Sequence, residues 1–287
     1  MTFRFLSVTG VLLGALVLAG CDATDADPDP FTDASADEDA VVSIAAAIAV
    51  EGGGALDLAG GAAASAAAEE AGRSGPGPFD AGCTFELTYD AEAMLWSRFW
   101  QCERGEPGGP FYSLFSRTSE TQYYDADGTP QADPETAVSA HFELLDGEGR
   151  VVRPWLRHEL LDLGADLDLT DLDTDLVTVN GTHVRSATDT LRTFGGERTV
   201  VYDLALTYLD VRGPRGREWD ENVSGTIEGQ YDAVRTFDGP RGTVTEEISR
   251  TFTITFGEDG GEDVAYIRLG GETYQADLTT GEVEGLE

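Results

Sequence analysis

Val223-Ser224-Gly225-Thr226-Ile227-Glu228-Gly229-Gln230-Tyr231-Asp232 alternates without a break: Val223, Gly225, Ile227, Gly229 and Tyr231 are apolar or small, and the residues between them are polar. Successive side chains of a strand point to opposite faces, so the stretch reads as a strand that buries one face and wets the other. Tyr202, Leu204, Leu206 and Tyr208 repeat the pattern, as do Phe252, Ile254 and Phe256 with Thr251, Thr253 and Thr255 on the opposite face. One-sided strands of this kind belong to antiparallel sheets. Gly270-Gly271 reads as a hairpin turn that sets Ile267 opposite Tyr274 and Ala265 opposite Ala276, and Asn180-Gly181 and Asp146 to Gly149 read as further turns. About nine to twelve such strands follow Cys83 in meander order, with no βαβ rhythm. The expected fold class is therefore mainly β: a large antiparallel meander with one or two short N-terminal helices. A sandwich, a partly closed barrel or a curved sheet covered by the helices would each hide the apolar faces, and the position of the helices ahead of every strand favours the curved sheet.

The helices are expected within an Ala/Gly-rich segment, residues 40–72. Val41, Val42, Ile44, Ala45 and Ile48 make an apolar stripe at helical spacing, Ser35 with Glu38 has the form of a capping box, and Ala55 to Gly72 reads as a second, glycine-weakened helix. Residues 73–82, with Gly-Pro-Gly-Pro inside them, form a stiff linker into an antiparallel β domain over 83–287.

At the start of that domain two cysteines face each other. If Phe85, Leu87 and Tyr89 lie on one strand and Trp96, Arg98 and Trp100 on the next, every opposing pair has the same residue-number sum as Cys83 and Cys102. This predicts a cross-strand disulfide; a redox pair or a thiolate metal site would call for a CxxC spacing or nearby histidines.

Before the helices lies a different kind of sequence. Met1 to Gly20 carries one charge, Arg4, then an apolar run from Val11 to Ala19 that is too short and too glycine-broken for a dedicated membrane span. Leu18-Ala19-Gly20-Cys21 resembles the lipobox of bacterial lipoproteins. The resemblance implies that residues 1–20 are a signal peptide, that the Cys21 sulfur takes a diacylglyceryl group, and that the chain sits in the bacterial cell envelope, periplasmic or surface-exposed, with the membrane as partner through that lipid. An export signal also places Cys83 and Cys102 where disulfides persist. Residues 21–39, rich in Asp, Ala, Pro and Thr, read as an acidic disordered tether between lipid and body.

The formal net charge is −36 and all 18 basic residues are arginine. Nucleic acid is excluded as a partner, because phosphate binding needs a basic footprint. The acids spread over the whole chain, which fits solubility or salt adaptation better than a dedicated cation site.

The densest acidic run is Asp162, Asp166, Asp168, Asp171, Asp173 and Asp175, interleaved with leucines. Calcium takes six to eight oxygens and such a run could supply several, but the Asp-x-Asp-x-Asp-Gly order with a distal glutamate is missing. Asp125-Ala126-Asp127-Gly128 is a second partial match that an Asp-Gly turn already explains. No cofactor is expected, and these aspartates are the calcium candidates. His141, His158 and His183 lie on different expected elements, without the spacing that puts two metal ligands on one face. Trp96, Trp100, Phe111, Tyr112 and Phe115 crowd the first hairpins, as a core requires and as a sugar platform would also use them. No Gly-x-Ser-x-Gly elbow, Walker loop or dinucleotide fingerprint occurs, and no catalytic residue is assigned.

The expected function is that of a membrane-anchored, non-enzymatic envelope lipoprotein whose body is a structural or interaction module. A carrier or binder of lipid or another apolar ligand is the alternative, since the outline resembles the half-barrels of periplasmic lipoprotein carriers. That reading requires an apolar cavity. An envelope hydrolase, marked by perturbed acids in one cleft, is the second alternative.

Overall fold

Each alternating stretch beyond Gly82 is a strand. In chain order they are β1 (Cys83–Asp90), β2 (Leu95–Arg104), β3 (Tyr112–Tyr124), β4 (Pro130–Gln131), β5 (Ser139–Val152), β6 (Leu156–Thr170), β7 (Leu176–Thr193), β8 (Gly196–Pro214), β9 (Ser224–Gly239), β10 (Gly242–Phe256), β11 (Val264–Leu269) and β12 (Glu272–Asp277). Two helices precede them, α1 (Asp33–Ile48) and α2 (Ala55–Ser65). The computed structural model describes residues 33–49, 54–65, 82–193, 195–216, 219, 222–240, 242–257 and 263–284. The signal segment, the lipobox with Cys21 and residues 73–81 of the linker lie outside them.

The strands form one antiparallel sheet in meander order from β1 to β12, left open at both edges, with β4 paired to β3 off that path. Two registers agree with the sequence reading. Cys83, Phe85, Leu87 and Tyr89 face Cys102, Trp100, Arg98 and Trp96, and a disulfide joins Cys83 to Cys102. Ile267 faces Tyr274 and Ala265 faces Ala276 across the Gly270-Gly271 turn.

Two expected turns lie instead inside long strands, beside bulges of the sheet. Asn180-Gly181 sits within β7, where the register against β8 shifts between Val179 and Gly181. Gly181 has φ +137°, and a Cβ there would stand 2.1 Å from the Asp166 carbonyl oxygen, so the glycine allows close approach to β6; the extra residue of the bulge lies opposite it in β8, where Asp210 has φ +51°. The Asn180 side chain reaches Asp210 on β8, whose backbone N–H donates to it at 2.8 Å. Asp146 to Gly149 lies inside β5, whose register against β3 skips Leu145. Gly147 is needed there for space, since a Cβ would meet Leu163 at 2.9 Å.

The N-terminal boundaries also move. α1 begins at Asp33, within the expected disordered tether, and Ser35 lies inside the helix and not at its cap. Packing explains the difference: Ala36, Ala40, Val41, Ile44 and Ile48 are buried, and Asp37 and Asp39 are ion-paired to the sheet. α2 is buried on all sides through Leu56, Leu58, Ala59, Ala62 and Ala63, as expected of a helix that is apolar all round.

Both helices lie against the inner face of the sheet. Asp37 pairs with Arg250 of β10 at 2.6 Å, Asp39 with Arg198 of β8 at 2.7 Å and Arg235 of β9 at 3.0 Å, and Asp57 with Arg117 of β3 at 2.8 Å. The Tyr208 hydroxyl donates to the Ala55 carbonyl at 3.1 Å. Strands stand about 4.8 Å apart, so a flat sheet of this strand number would be about 50 Å wide, while two helices side by side cover about 20 Å. For two helices to engage strands from β3 to β12 the sheet has to curl around them, which is the third arrangement foreseen from sequence. Among the described residues, no helix is long and apolar enough to cross a membrane.

Candidate functional site

The inner face of β7 changes character along its length. Val177 and Val179 continue the apolar row, but the same phase then carries His183, Arg185, Ala187 and Asp189. β6 sets His158 opposite Asp189 and Leu160 opposite Ala187, and β8 sets Leu206, Leu204 and Tyr202 opposite His183, Arg185 and Ala187. A polar row is thus walled by leucines and tyrosine on both sides.

His158 joins the row together. Its Nδ1 lies 2.6 Å from Asp189 Oδ1 and its Nε2 lies 3.2 Å from Arg185 Nη2. A carboxylate can only accept and a guanidinium can only donate, so the neutral ring carries its proton on Nδ1, donating to Asp189 and accepting from Arg185. Arg185 is 6 % exposed, and its Nε and Nη1 are buried without a hydrogen-bond partner. Among the described residues no carboxylate forms an ion pair with it, whereas Arg117, Arg198, Arg235 and Arg250 on the same face each hold an acid from α1 or α2.

Burial sets the protonation of the neighbours. His183 is wholly buried with neither ring nitrogen hydrogen-bonded, and desolvation, helped by the charge of Arg185, holds its pKa down to about 3. It stays neutral, so Arg185 remains the positive group of this row. Burial pushes Tyr202 up to about 12 against the opposing charge of Arg185, and Tyr231 is raised by burial in the same way.

Beside Arg185 a recess of about 310 Å³ opens between α2 and the inner faces of β2, β3, β5, β6 and β7. Trp100, Phe115 and Leu160 give it apolar walls, and Arg185, His158 and Asp57, with Arg104 and Arg150, give it polar ones. Asp57 is held by Arg117, whose guanidinium also lies over the Trp100 ring at 5.0 Å. Trp100 and Phe115 meet edge to face at 5.4 Å, which fixes the aromatic wall. The arrangement offers an apolar surface ending on a buried guanidinium that hydrogen-bonds His158 and that no carboxylate among the described residues ion-pairs.

The calcium candidates are not brought together in this way. Asp162, Asp166 and Asp168 project from the outer face of β6, and Asp171, Asp173 and Asp175 belong to the turn into β7. Asp166 and Asp168 flank His141, at 3.8 Å and 3.0 Å, on the exposed surface. Asp171 accepts from the Thr178 hydroxyl at 2.7 Å, and Asp125 accepts from the Asp127 and Thr129 N–H groups, so both are turn-forming. Among the described residues no three His, Cys, Asp or Glu side chains converge as metal ligands.

Sequence reasoning missed the trio Arg185, His158 and Asp189 because its members lie on two strands and meet only through register. One signal was present: His183 and Arg185 fall in the buried phase of β7, where polar groups need a reason. No protein-family model matches the chain, and neither a curated protein nor a solved structure does.

Proposed function

We propose that the chain is an envelope lipoprotein anchored through Cys21, that its β body is a non-enzymatic binding module, and that its inner recess takes an apolar molecule bearing an anionic group. The observation that carries this reading is Arg185, buried at the wall of the recess with two of its nitrogens unpartnered. A buried cation with no ion-paired carboxylate keeps a desolvation cost that its hydrogen bond to His158 offsets only in part, and an anion placed against it recovers the rest. Trp100, Phe115 and Leu160 would cover the apolar remainder of the ligand. A recess of about 310 Å³ sits at the small end of ligand pockets, which suits a single short acyl chain or an aromatic acid better than a multi-chain lipid. The filled inner face supports a binder of small apolar acids over a bulk lipid carrier.

Octanoate and octanol separate the charge from the chain. The exported full chain carrying Cys21→Ser should bind octanoate by titration calorimetry, and Arg185→Met should weaken that binding at least about tenfold, the lower range for a lost buried charged contact. Octanol should bind weakly and be indifferent to Arg185→Met. Equal affinity for the two probes, or no octanoate binding at millimolar concentration, would overturn the reading. The anchor is tested separately: the N-terminal peptide of the wild-type chain should begin at Cys21 with the mass of a diacylglyceryl group, and an unmodified N-terminus elsewhere would refute it.

A further inference from the structure

The end of the sheet where β5 turns into β6 and β8 begins is unlike the rest of the surface. A second recess, of about 260 Å³, lies there among Arg150, Arg153, Arg157, Arg192, Trp155 and Glu197, with Gly108 of the β2–β3 connection at its side. Four arginines in one place stand out in a chain of net charge −36. Glu159 engages Arg157 at 2.6 Å and Arg150 at 3.5 Å, and Glu197 engages Arg192 at 2.9 Å. Arg153 is exposed and gives its Nη1 to the neighbouring Val152 carbonyl, and no ion pair joins it to a carboxylate among the described residues.

Two aromatic rings accompany these charges. Phe111, on the β2–β3 connection, is 62 % exposed and Trp155, on the β5–β6 connection, is 58 % exposed; they are the exposed aromatics among the described residues. Exposed aromatic rings mixed with arginines match the interfacial layer of a bilayer, where rings sit at headgroup depth and cations meet lipid phosphates.

One contact of α1 lies at the same end. Asp39 of α1 pairs with Arg198, close to the start of β8, and with Arg235, close to the end of β9, whereas the Ala45 carbonyl lies beside Gly281 past β12 at the other end. Asp39 therefore ties α1 to the sheet near its arginine-rich end, while Asp37 reaches Arg250 in the middle of β10. Eleven residues, 22–32, separate Cys21 from the first residue of α1, and the twelve steps between them span at most about 43 Å.

We infer that this rim, with Phe111 and Trp155 as inserting rings and Arg153 and Arg192 as headgroup contacts, docks the body on an anionic bilayer surface. The inference rests on the anchored-lipoprotein reading, which keeps that bilayer within reach. Away from the rim the acidic body is repelled, so docking fixes one orientation with the rest of the sheet pointing from the membrane. At physiological salt the repulsion fades within about 8 Å, and the rim makes its contacts inside that distance.

The full chain carrying Cys21→Ser, and so without acyl groups, tests the rim independently of the anchor. It is mixed with brominated phosphatidylcholine vesicles with and without phosphatidylglycerol, and tryptophan quenching is read against lipid concentration. Quenching should require phosphatidylglycerol and disappear in Trp155→Phe, and the lipid affinity should fall about fivefold for each of Arg153→Ser and Arg192→Ser. Absence of quenching at millimolar lipid, equal quenching on phosphatidylcholine alone, or quenching that survives Trp155→Phe would overturn the proposal. Each of these results leaves octanoate binding and the mass of the Cys21 peptide untouched, so the failures are distinguishable.

Discussion

His183 and Arg185 occupy successive inner positions of β7, and the neutrality of the first bears on the charge of the second. In the unfolded chain a histidine titrates near 6.5, while in the folded chain His183 titrates at about 3 because it is desolvated and beside a guanidinium. Between those values the unfolded state holds a proton that the folded state lacks. Stability therefore falls as the pH falls from 6.5, by up to about 1.4 kcal/mol per unit, and this loss is absent above 6.5. Urea unfolding at pH 7, 6 and 5 should show that slope in the wild type and a shallower one in His183→Leu. Parallel slopes would mean that His183 is protonated at little cost, and the buried row would need another account. His183 and Arg185 fall on the buried phase of β7, but alternation along one strand cannot tell that His158 of β6 meets Arg185. That contact depends on the bulge between Leu160 and Asp162, which sets which β6 residues share the inner face.

The edge strand β1 is the element most dependent on a covalent link. It pairs only with β2 within the sheet, and Cys83 and Cys102 close a loop of sequence separation 19 at its start. A disulfide closing a loop of that length contributes about 3 kcal/mol, chiefly by restricting the unfolded chain. Cys83→Ser combined with Cys102→Ser should lower the stability of the body by about 2–4 kcal/mol. Hydrogen exchange should show where: amides of β1 lose protection while those of β7 and β8 keep theirs. Uniform loss across all strands would show instead that β1 unfolds only with the whole sheet. The first hairpin was legible because a short connection between two alternating runs leaves one register that pairs both the cysteines and the aromatics. The middle strands are longer than the sequence reading has them, since Asn180-Gly181 and Asp146 to Gly149 carry turn chemistry in places where the sheet bulges and the strand goes on. A bulge and a tight turn ask the same of the backbone locally, and the difference lies in whether a long partner strand continues past it. The start of α1 was misplaced for a related reason: Asp37 and Asp39 look like tether until Arg250, Arg198 and Arg235 come to them across the sheet.

At the scale of the whole molecule, charge is sorted by face. Arg117, Arg185, Arg198, Arg235 and Arg250 lie on the inner face, and Arg235 is fully buried, its charge held against desolvation by Glu246 and Asp39. The outer face is left with rows of acids and hydroxyls, one of which runs Asp162, Ser186, Asp203, Asp232 and Ser249 across β6 to β10. Asp203 and Asp232 stand directly opposite each other, and the hydroxyls of Ser186 and Ser249 donate to them at 2.5 Å and 2.6 Å. Such donors satisfy the carboxylates without cancelling their charge, so like charges still face one another at strand spacing. The net charge of −36 was legible in composition, but its concentration on one face was not, because only the register shows which arginines the helices draw inward. Two unit charges about 5 Å apart in water repel by roughly 1 kcal/mol, and raising salt from about 0.1 M to 1 M shortens the screening length from about 10 Å to about 3 Å. The interior ion pairs are shielded from that screening, so added salt removes repulsion from the folded state while leaving its helix contacts in place. Sodium chloride should thus stabilise the body by on the order of 1–2 kcal/mol, raising the calorimetric midpoint by roughly 2–8 °C over that range. Chloride is the anion to use, since sulfate would strengthen apolar burial by exclusion whatever the charge distribution. A midpoint that stays level or falls in sodium chloride would show that attractive surface pairs outweigh the acidic rows, and the sorting of charge by face would then carry no energetic weight.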